Sequence, residues 1–326
     1  MSNKLRVGVA FGGPSPEYDI SVNSGRNVCK NIDKEMFLVY PIHVTREGFF
    51  QISRQPSDSI EASFYQPKFA PSEASPMLIG FDVVFNTIHG PYGEDGTLQG
   101  FLKVLGVRCT GSDSSSSALA MDKMRSRMVM SCSGVPVPES AYLRSIDDQV
   151  PFMPTFIKPN AQGSSVGVSI VKTPQQLQPA LDLAFKYGDL VIAAELLKGQ
   201  EITCSILERK NNEPEALPVT LIVPKESDFF DIKAKYEMGG SDEITPAPIS
   251  AESTKLAQQI SLKTHKAIGC KGVTRVDMFL LSDGRIKVLE INTLPGMTDT
   301  SLVPQAAKCV GISFTQLLTH IIEAAL

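Results

Sequence analysis

The stretch that decides the fold is KGVTRVDMFLLSDGRIKVLEINTLPGMTDTSLVP, residues 271–304. Residues 273–281 are rich in branched apolar side chains and predict a β-strand. Asp283 and Gly284 are a strong signal for a two-residue hairpin loop, and residues 285–291 predict the returning strand. The stretch is therefore predicted to form an antiparallel hairpin.

The two faces of this hairpin differ in chemistry, because side chains alternate along a strand with a period of two. With the predicted loop, the polar pairs that face each other are Ser282 with Arg285, Asp277 with Glu290, and Arg275 with Asn292. The opposite face carries an apolar set that is predicted to be the core side: Val276, Met278, Leu280, Leu289 and Ile291.

The facing acids need an explanation, because two carboxylates directly opposite each other destabilise a hairpin. A divalent cation between Asp277 and Glu290 removes that penalty, and with Asn292 the ligands are all oxygen, which suits Mg²⁺ better than zinc. Arg275 beside them suits an anion held by the metal, such as a phosphate. A solvated charged face is the alternative that the hairpin alone leaves open.

Size and composition exclude several classes of protein. The chain has 326 residues, enough for two or three domains, with 31 basic and 35 acidic residues and no Trp. This balance does not favour a nucleic-acid or membrane partner, and no stretch is long enough to span a membrane. The six cysteines form no CxxC motif, and the apolar run at residues 7–11 is too short for a secretory signal. We therefore expect a cytoplasmic protein.

The N-terminal part is predicted to be a doubly wound α/β domain. An apolar strand at residues 5–11 is followed by the turn GGPSP and a helix at 17–31, an order typical of ligand-binding α/β folds. Further strands are predicted at 37–43 and 81–88, and residues 54–76 are interpreted as a surface loop. Glu17 begins the helix at the strand's carboxyl end, where an ordinary first-turn acid is the alternative interpretation.

Two loops of the N-terminal and central regions carry candidate ligand-binding residues. His89 opens the segment HGPYGEDG at the end of a strand, although a lone histidine there is more often structural. Lys158 precedes the loop PNAQGSSVGV, whose backbone N–H groups and serine hydroxyls suit phosphate oxygens. This is not a Walker A loop, and a plain glycine hairpin is the alternative. A helix is predicted at 118–131, where Lys123 on the surface is the simplest reading, and a long functional loop at 226–248.

The motifs taken together resemble the D-alanine–D-alanine ligases of the ATP-grasp superfamily. The matching segments, in the family's order, are GGPSPEYDISVNSG, HGPYGEDG, MDKMRSR, IKPNAQGSSVGVS, DIKAKY and RVDMFLLSDGRIKVLEINTLPGMTDTSLVP. They cover nearly the whole chain, and although each one is modest, the set is specific.

The resemblance implies an α/β, three-domain ATP-grasp fold, in which an N-terminal doubly wound parallel-sheet domain precedes central and C-terminal α+β domains. We place these domains at residues 1–111, 112–193 and 194–326. The implied reaction joins two D-alanines through a D-alanyl phosphate formed from ATP, for peptidoglycan synthesis. The resemblance also implies two Mg²⁺ per site, with Mn²⁺ as a substitute, and a homodimer.

The resemblance assigns roles residue by residue. Asp277, Glu290 and Asn292 would hold the metals. ATP would be bound by Lys123, Lys158, Ser165, Glu195, Leu197 and Glu201. The catalytic set would be Glu17, Ser164, Tyr236, Arg275, Gly296 and Ser301, and further substrate contacts would come from His89, Lys235 and Leu302.

Some features depart from the family pattern, and other functions compete. Ala194 and Glu195 stand where some relatives carry an acid or a lysine, which weakens the adenine assignment. Tyr236 favours D-alanine over D-lactate as the acceptor. The competing interpretations are a D-alanine–D-lactate or biotin-carboxylase-like ligase, a non-catalytic binding protein, and a dinucleotide-dependent dehydrogenase, for which GxGxxG is missing.

Overall fold

The computed structural model describes residues 4–160, 167–224, 241–298 and 300–326, which form three β-sheets with flanking helices. The first sheet has the strand order β3-β2-β1-β4-β5, and all its neighbours are parallel except β3 with β2. Its strands are β1 (Leu5–Gly12), β2 (Phe37–Val44), β3 (Phe50–Ile52), β4 (Val83–Asn86) and β5 (Arg108–Cys109).

Helices cover both faces of this first sheet, as a doubly wound arrangement requires. They are α1 (Tyr18–Asn31), α2 (Glu61–Phe64), α3 (Pro71–Leu78) and α4 (Thr97–Val104). Val7, Val9 and Phe11 of β1 face a core that includes α1, whereas Ala10 faces the core that contains Leu78 of α3 and residues of α4. The predicted parallel N-terminal sheet is therefore observed.

The second sheet is antiparallel and lies in the middle of the chain. Its order is β6-β9-β7-β8, built from β6 (Ser140–Leu143), β7 (Thr155–Pro159), β8 (Ser169–Val171) and β9 (Val191–Glu195). It follows the helices α5 (Ser114–Met121) and α6 (Lys123–Cys132), and α7 (Leu177–Phe185) packs on one of its faces through Ala180, Leu181 and Ala184.

The third sheet contains the hairpin and is antiparallel throughout, in the order β13-β12-β10-β14-β15 with β11 paired to β10. Its strands are β10 (Gly199–Leu207), β11 (Glu215–Ala216), β12 (Thr220–Pro224), β13 (Ser241–Ile244), β14 (Val273–Leu281) and β15 (Ile286–Asn292). Helix α8 (Ala251–Ile268) covers its apolar face, together with residues of α5 and α6.

The chain ends with α9 (Leu302–Cys309) and α10 (Phe314–Ala325), and α10 returns to the first sheet. Leu317, Leu318 and Ile321 are fully buried in the core that contains Val7 and Val9. The C-terminal helix therefore completes the N-terminal domain, although it lies within the predicted segment 194–326. The boundaries 1–111, 112–193 and 194–326 stay a prediction, and strand β9 crosses the second of them.

The hairpin differs from its prediction in loop length and in one register shift. Leu281 donates its N–H to the carbonyl of Arg285, so three residues form the loop and Ser282 does not face Arg285. A bulge between Asp277 and Met278 then restores the register, so Asp277 pairs with Glu290 and Arg275 with Asn292 as predicted. Between the loop and the bulge the faces are exchanged: Leu289 is only half-buried, and Ile286 and Val288 occupy the core instead.

Two other predictions about local structure are wrong. The helix expected at 118–131 is two helices that meet at Asp122, whose backbone is extended and whose carboxylate accepts the N–H of Arg125, capping a new helix. Residues 54–76 are not a plain surface loop. They contain α2 and the start of α3, whose first turn is fixed because the Glu73 carboxylate accepts the N–H of Ala70.

Candidate active site

The polar face of the hairpin forms one connected network around Asp277. The Arg275 guanidinium donates to both carboxylate oxygens, with Nε–Oδ1 at 2.9 Å and a terminal nitrogen to Oδ2 at 2.8 Å. Thr203 on β10 donates its hydroxyl to the same Oδ1 at 2.7 Å. Asp277 is therefore buried and accepts three hydrogen bonds, two at Oδ1 and one at Oδ2, which leaves Oδ2 able to accept a further ligand.

Glu290, across the strand pair from Asp277, lies between two ammonium groups. Its Oε2 is 3.4 Å from Lys158 Nζ and 3.8 Å from Lys123 Nζ. Burial lowers the pKa of Lys158 to about 7; the Glu290 carboxylate acts against this shift, whereas the nearby charges of Arg127 and Lys123 reinforce it. This is a cationic cluster that would gain free energy from additional negative charge.

Asn160 fixes the position of these two lysines relative to each other. It follows β7, two residues after Lys158, and its Oδ1 accepts the N–H of Met124 at 2.7 Å. Its Nδ2 donates to Asp122 Oδ1 at 3.0 Å, so both ends of the amide hold the first turn of α6, where Lys123 lies. The break between α5 and α6 thus aims Lys123 at Glu290.

A cavity of about 520 Å³ opens beside this network and joins the N-terminal domain to the third sheet. Its lining combines predicted residues from distant parts of the sequence: Glu17, His89, Lys123, Arg275, Glu290, Asn292, Gly296, Ser301 and Leu302. A pocket that brings several charged groups to one place is the expected location of a ligand site.

The N-terminal wall of the cavity is built from helix α1 and the loop after β4. His89 shares hydrogen bonds with Ser24 Oγ at 3.0 Å and with Glu94 Oε1 at 3.3 Å, and all three residues line the cavity. Gly90 has a φ of +73°, and a Cβ there would come within 2.7 Å of the Glu17 carboxylate. The glycine therefore allows the loop to close against Glu17.

The opposite wall is the start of helix α9. Ser301 is the residue before the helix, and its Oγ accepts the N–H of Thr298 at 3.0 Å. A Cβ on Gly296 would lie 2.8 Å from that hydroxyl, so the absence of a side chain at Gly296 keeps Ser301 in place. Helix α9 begins at Leu302, which lines the cavity, and the start of a helix favours an anion.

Three predicted nucleotide-binding residues lie away from this cavity. Glu195, at the end of β9, pairs with Lys287 of β15, and its Oε1 also accepts the N–H of Glu139. The backbone N–H of Glu195 is donated to the Glu139 carbonyl, so it is not available to an adenine ring. Leu197 and Glu201 lie at and just after the connector between β9 and β10 and do not line the cavity.

Four predicted residues lie outside the described part of the chain: Ser164, Ser165, Lys235 and Tyr236. Their roles stay predictions.

The residues present fit a hard divalent cation by donor chemistry. Asp277 and Glu290 face each other, and Asn292 lies two residues further along β15 on the same face. The three side chains offer only oxygen ligands to a metal when the amide coordinates through Oδ1. Asn292 Oδ1 accepts the N–H of Leu294 at 2.8 Å. Within the described ranges no three His, Cys, Asp or Glu side chains gather as a metal cluster, so the set depends on the amide.

Several residues of the site were not identified from the sequence. Thr203 and Arg127 belong to it only through long-range pairing, which no local pattern reveals. Asn160 follows a strand directly and precedes a glycine loop, and that position was a usable signal. Glu243 on β13 lies in the segment interpreted as loop 226–248, and it lines the cavity.

Two family models match the chain, described as the D-ala D-ala ligase N-terminus over residues 6–112 and the D-ala D-ala ligase C-terminus over residues 132–323. This chain belongs to the D-alanine–D-alanine ligase family. The predicted three-domain ATP-grasp fold of that family is thereby confirmed.

Relatives of the D-alanine–D-alanine ligase family match over nearly their full length. The chain is 39% identical to the D-alanine–D-alanine ligase of Leptospira biflexa, covering 99% of both chains. It is 34% identical to D-alanine–D-alanine ligase A of Escherichia coli K12, covering 99% of this chain and 96% of that one.

Solved structures of the D-alanine–D-alanine ligase family superpose closely on the chain. The D-Ala:D-Ser ligase VanG of Enterococcus faecalis gives a TM-score of 0.88 at 34% identity, covering 99% of this chain and all of that one. The D-alanine–D-alanine ligase of Bacillus anthracis complexed with ATP gives 0.79 at 31% identity, covering 98% and 97%.

Proposed function

We propose that the cavity between the first sheet and the hairpin is where two D-alanines are joined, with ATP as the phosphoryl donor. The reaction is the ATP-dependent formation of D-alanyl-D-alanine for peptidoglycan, through D-alanyl phosphate. The observation that supports this location is the convergence of Glu17, Glu290, Arg275 and Ser301 on one cavity of about 520 Å³.

The first D-alanine binds against the N-terminal wall. Glu17 holds its ammonium group, and His89, fixed by Ser24 and Glu94, contacts the same molecule. Its carboxylate then points toward the hairpin, where Lys123 and Arg275 supply positive charge. Ser164 and Tyr236 complete this subsite in the proposal.

The triphosphate of ATP lies over the lysine cluster. Lys123 and Lys158 already share Glu290 within 3.8 Å and 3.4 Å, so phosphate oxygens there meet two preplaced ammonium groups. Ser165 is assigned to the same phosphates, Glu201 to the ribose, and Glu195 and Leu197 to the adenine edge. Because the Glu195 N–H is taken by Glu139, any adenine contact must come from other groups of that connector.

Asp277, Glu290 and Asn292 are the residues that would hold magnesium, two ions per site, or manganese in its place. When bound, the metal neutralises the β- and γ-phosphates and lets the phosphoryl group pass to the carboxylate. Arg275, which is bound to Asp277 and lines the cavity, would be placed to bind the reacting carboxylate or its phosphate.

The second D-alanine binds against the wall formed by helix α9. Ser301, the Leu302 N–H and Lys235 hold its carboxylate, which fits the anion preference of a helix start. Its ammonium group gives up one proton to solvent, the free amine attacks the acyl phosphate carbonyl, and a second proton leaves the nitrogen with the departing phosphate. The oxyanion that forms is stabilised by Arg275 and the Gly296 N–H, and phosphate leaves as the peptide C–N bond forms.

Location and assembly complete the proposal. All six cysteines are unpaired thiols, which supports a reducing cytoplasm, and among the described residues no helix is long and apolar enough to cross a membrane. The homodimer is inferred from the resemblance, and analytical ultracentrifugation tests it.

The experiment that tests the function is phosphate release from ATP with different amino acids. We expect D-alanine to support turnover and L-alanine, glycine and D-lactate to fail as sole or second substrates. D-serine is included as acceptor, because the superposition on a D-Ala:D-Ser ligase is close. A protein that releases no phosphate with D-alanine, or releases it equally with L-alanine, contradicts the proposal.

A further inference from the structure

Glu243 is a half-buried carboxylate in the cavity that the sequence did not identify and the roles above leave unused. It lies on β13, whose register with β12 places it opposite Ile222, and Ile222 pairs in turn with Glu201 of β10. By the alternation of side chains, Glu243 and Thr245 are on the same face as Thr220, Thr203 and Asp277. A hydrogen bond of 2.7 Å between the hydroxyls of Thr245 and Thr220 confirms that face.

Helix α9 fixes the Glu243 side chain. Gln305 donates from Nε2 to Glu243 Oε2 at 2.8 Å and from the same nitrogen to the Thr300 carbonyl at 2.8 Å. The carboxylate is therefore tied to the loop that carries Ser301, and it belongs to the acceptor end of the cavity rather than to the wall with Glu17.

The charges in the cavity indicate which group of the substrates Glu243 can bind. Two zwitterionic amino acids bring two carboxylates and two ammonium groups. Lys123, Arg275 and the start of α9 provide for the carboxylates, and Glu17 provides for one ammonium. Glu290 is held by two lysines and Glu94 by His89, so among the described lining residues Glu243 is the acid on the acceptor side.

We infer that Glu243 binds the ammonium group of the acceptor amino acid and holds its nitrogen toward the acyl phosphate, which the nitrogen attacks once it has given up a proton to solvent. This inference rests on the proposed function and adds one specificity-determining residue to it. Partial burial raises the pKa of Glu243, and the Gln305 hydrogen bond and the Arg275 charge oppose the shift. An ammonium ligand stabilises the charged form further.

The test separates the acceptor step from formation of the acyl phosphate. Hydroxylamine, which carries no charge at neutral pH, traps D-alanyl phosphate as the hydroxamate and does not need a carboxylate to recognise it. The variant Glu243→Gln keeps the shape of the side chain and removes its charge. We expect it to raise the KM for the second D-alanine by about tenfold to a hundredfold, the loss of one charge-assisted hydrogen bond, and to leave hydroxamate formation unchanged.

Two further variants make the result specific. Glu243→Asp keeps a carboxylate and should recover part of the acceptor KM. Glu213→Gln removes an exposed acid that pairs with Lys266 and should leave both measurements unchanged. The inference is overturned if Glu243→Gln leaves the KM for the second D-alanine unchanged. It is also overturned if the rate of hydroxamate formation falls by the same factor as that KM rises. A parent enzyme that forms no hydroxamate would instead overturn the proposed function.

Discussion

The site geometry makes a quantitative prediction for the stability of the Glu290→Gln variant. The Glu290 carboxylate is 3.4 Å from Lys158 Nζ and 3.8 Å from Lys123 Nζ. At an effective dielectric constant of about 20, these two attractions are worth roughly 5 and 4 kcal/mol before desolvation. The Glu290 side chain is 30% exposed, so solvent screens part of this electrostatic attraction. We therefore expect the substitution to lower the unfolding free energy by about 2 kcal/mol.

The same substitution should abolish turnover, because the amide cannot provide the anionic oxygen that faces Asp277. Urea unfolding without ligands measures the first effect, and phosphate release from ATP with D-alanine measures the second. Glu215→Gln is the matched control: this acid pairs with Arg209 at 44% side-chain exposure, so its loss should cost at most about 1 kcal/mol and leave activity intact. An active Glu290→Gln enzyme at ordinary Mg²⁺ concentration would refute the reasoning.

Three further predictions address other parts of the molecule. Asn160→Ala removes both hydrogen bonds that hold the first turn of α6, so we expect the KM for ATP to rise about fivefold to tenfold in initial-rate assays; an unchanged KM would contradict the positioning role. Burial lowers the pKa of His265 to about 4, so the unfolded chain takes up the proton first. Stability is then full above about pH 6.5 and falls by up to about 3 kcal/mol toward pH 4, a dependence that His265→Gln should lose in urea titrations. Met278→Ala should cost about 2–5 kcal/mol of unfolding free energy, because the side chain is fully buried; a smaller loss would mean that the core collapses around it.

The hairpin shows which features of the site could be predicted from the sequence. Its central pair, Asp277 with Glu290, was predicted from a two-residue loop, but the structure has a three-residue loop in which Gly284 adopts a φ of +81°. A bulge at Leu289 offsets the extra loop residue. The predicted pairing of Asp277 with Glu290 is therefore correct, whereas the predicted pairing of the residues between the loop and the bulge is wrong. Local turn signals do not report a compensating bulge, because they describe only the residues of the loop itself.

Long-range partners explain most of what the sequence did not provide. Thr203 binds Asp277 because β10 pairs with β14 across some seventy residues of sequence, and no periodicity encodes that register. The Glu195–Lys287 pair likewise depends on how the second and third sheets meet. By contrast, the helix break at Asp122 has a local cause, because its carboxylate caps the following helix. An aspartate at such a position is a capping signal that the sequence itself contains.

The return of α10 to the first sheet has a consequence for how this enzyme is made. Residues 314–325 are synthesised about three hundred residues after Val7, Val9 and Phe11, yet their side chains pack in the same core. Until α10 emerges during synthesis, part of the apolar face of the first sheet therefore lacks its cover. A nascent chain with this apolar surface exposed is a natural client for chaperones. If translation stalls or terminates before α10, the product would be incomplete and prone to aggregation.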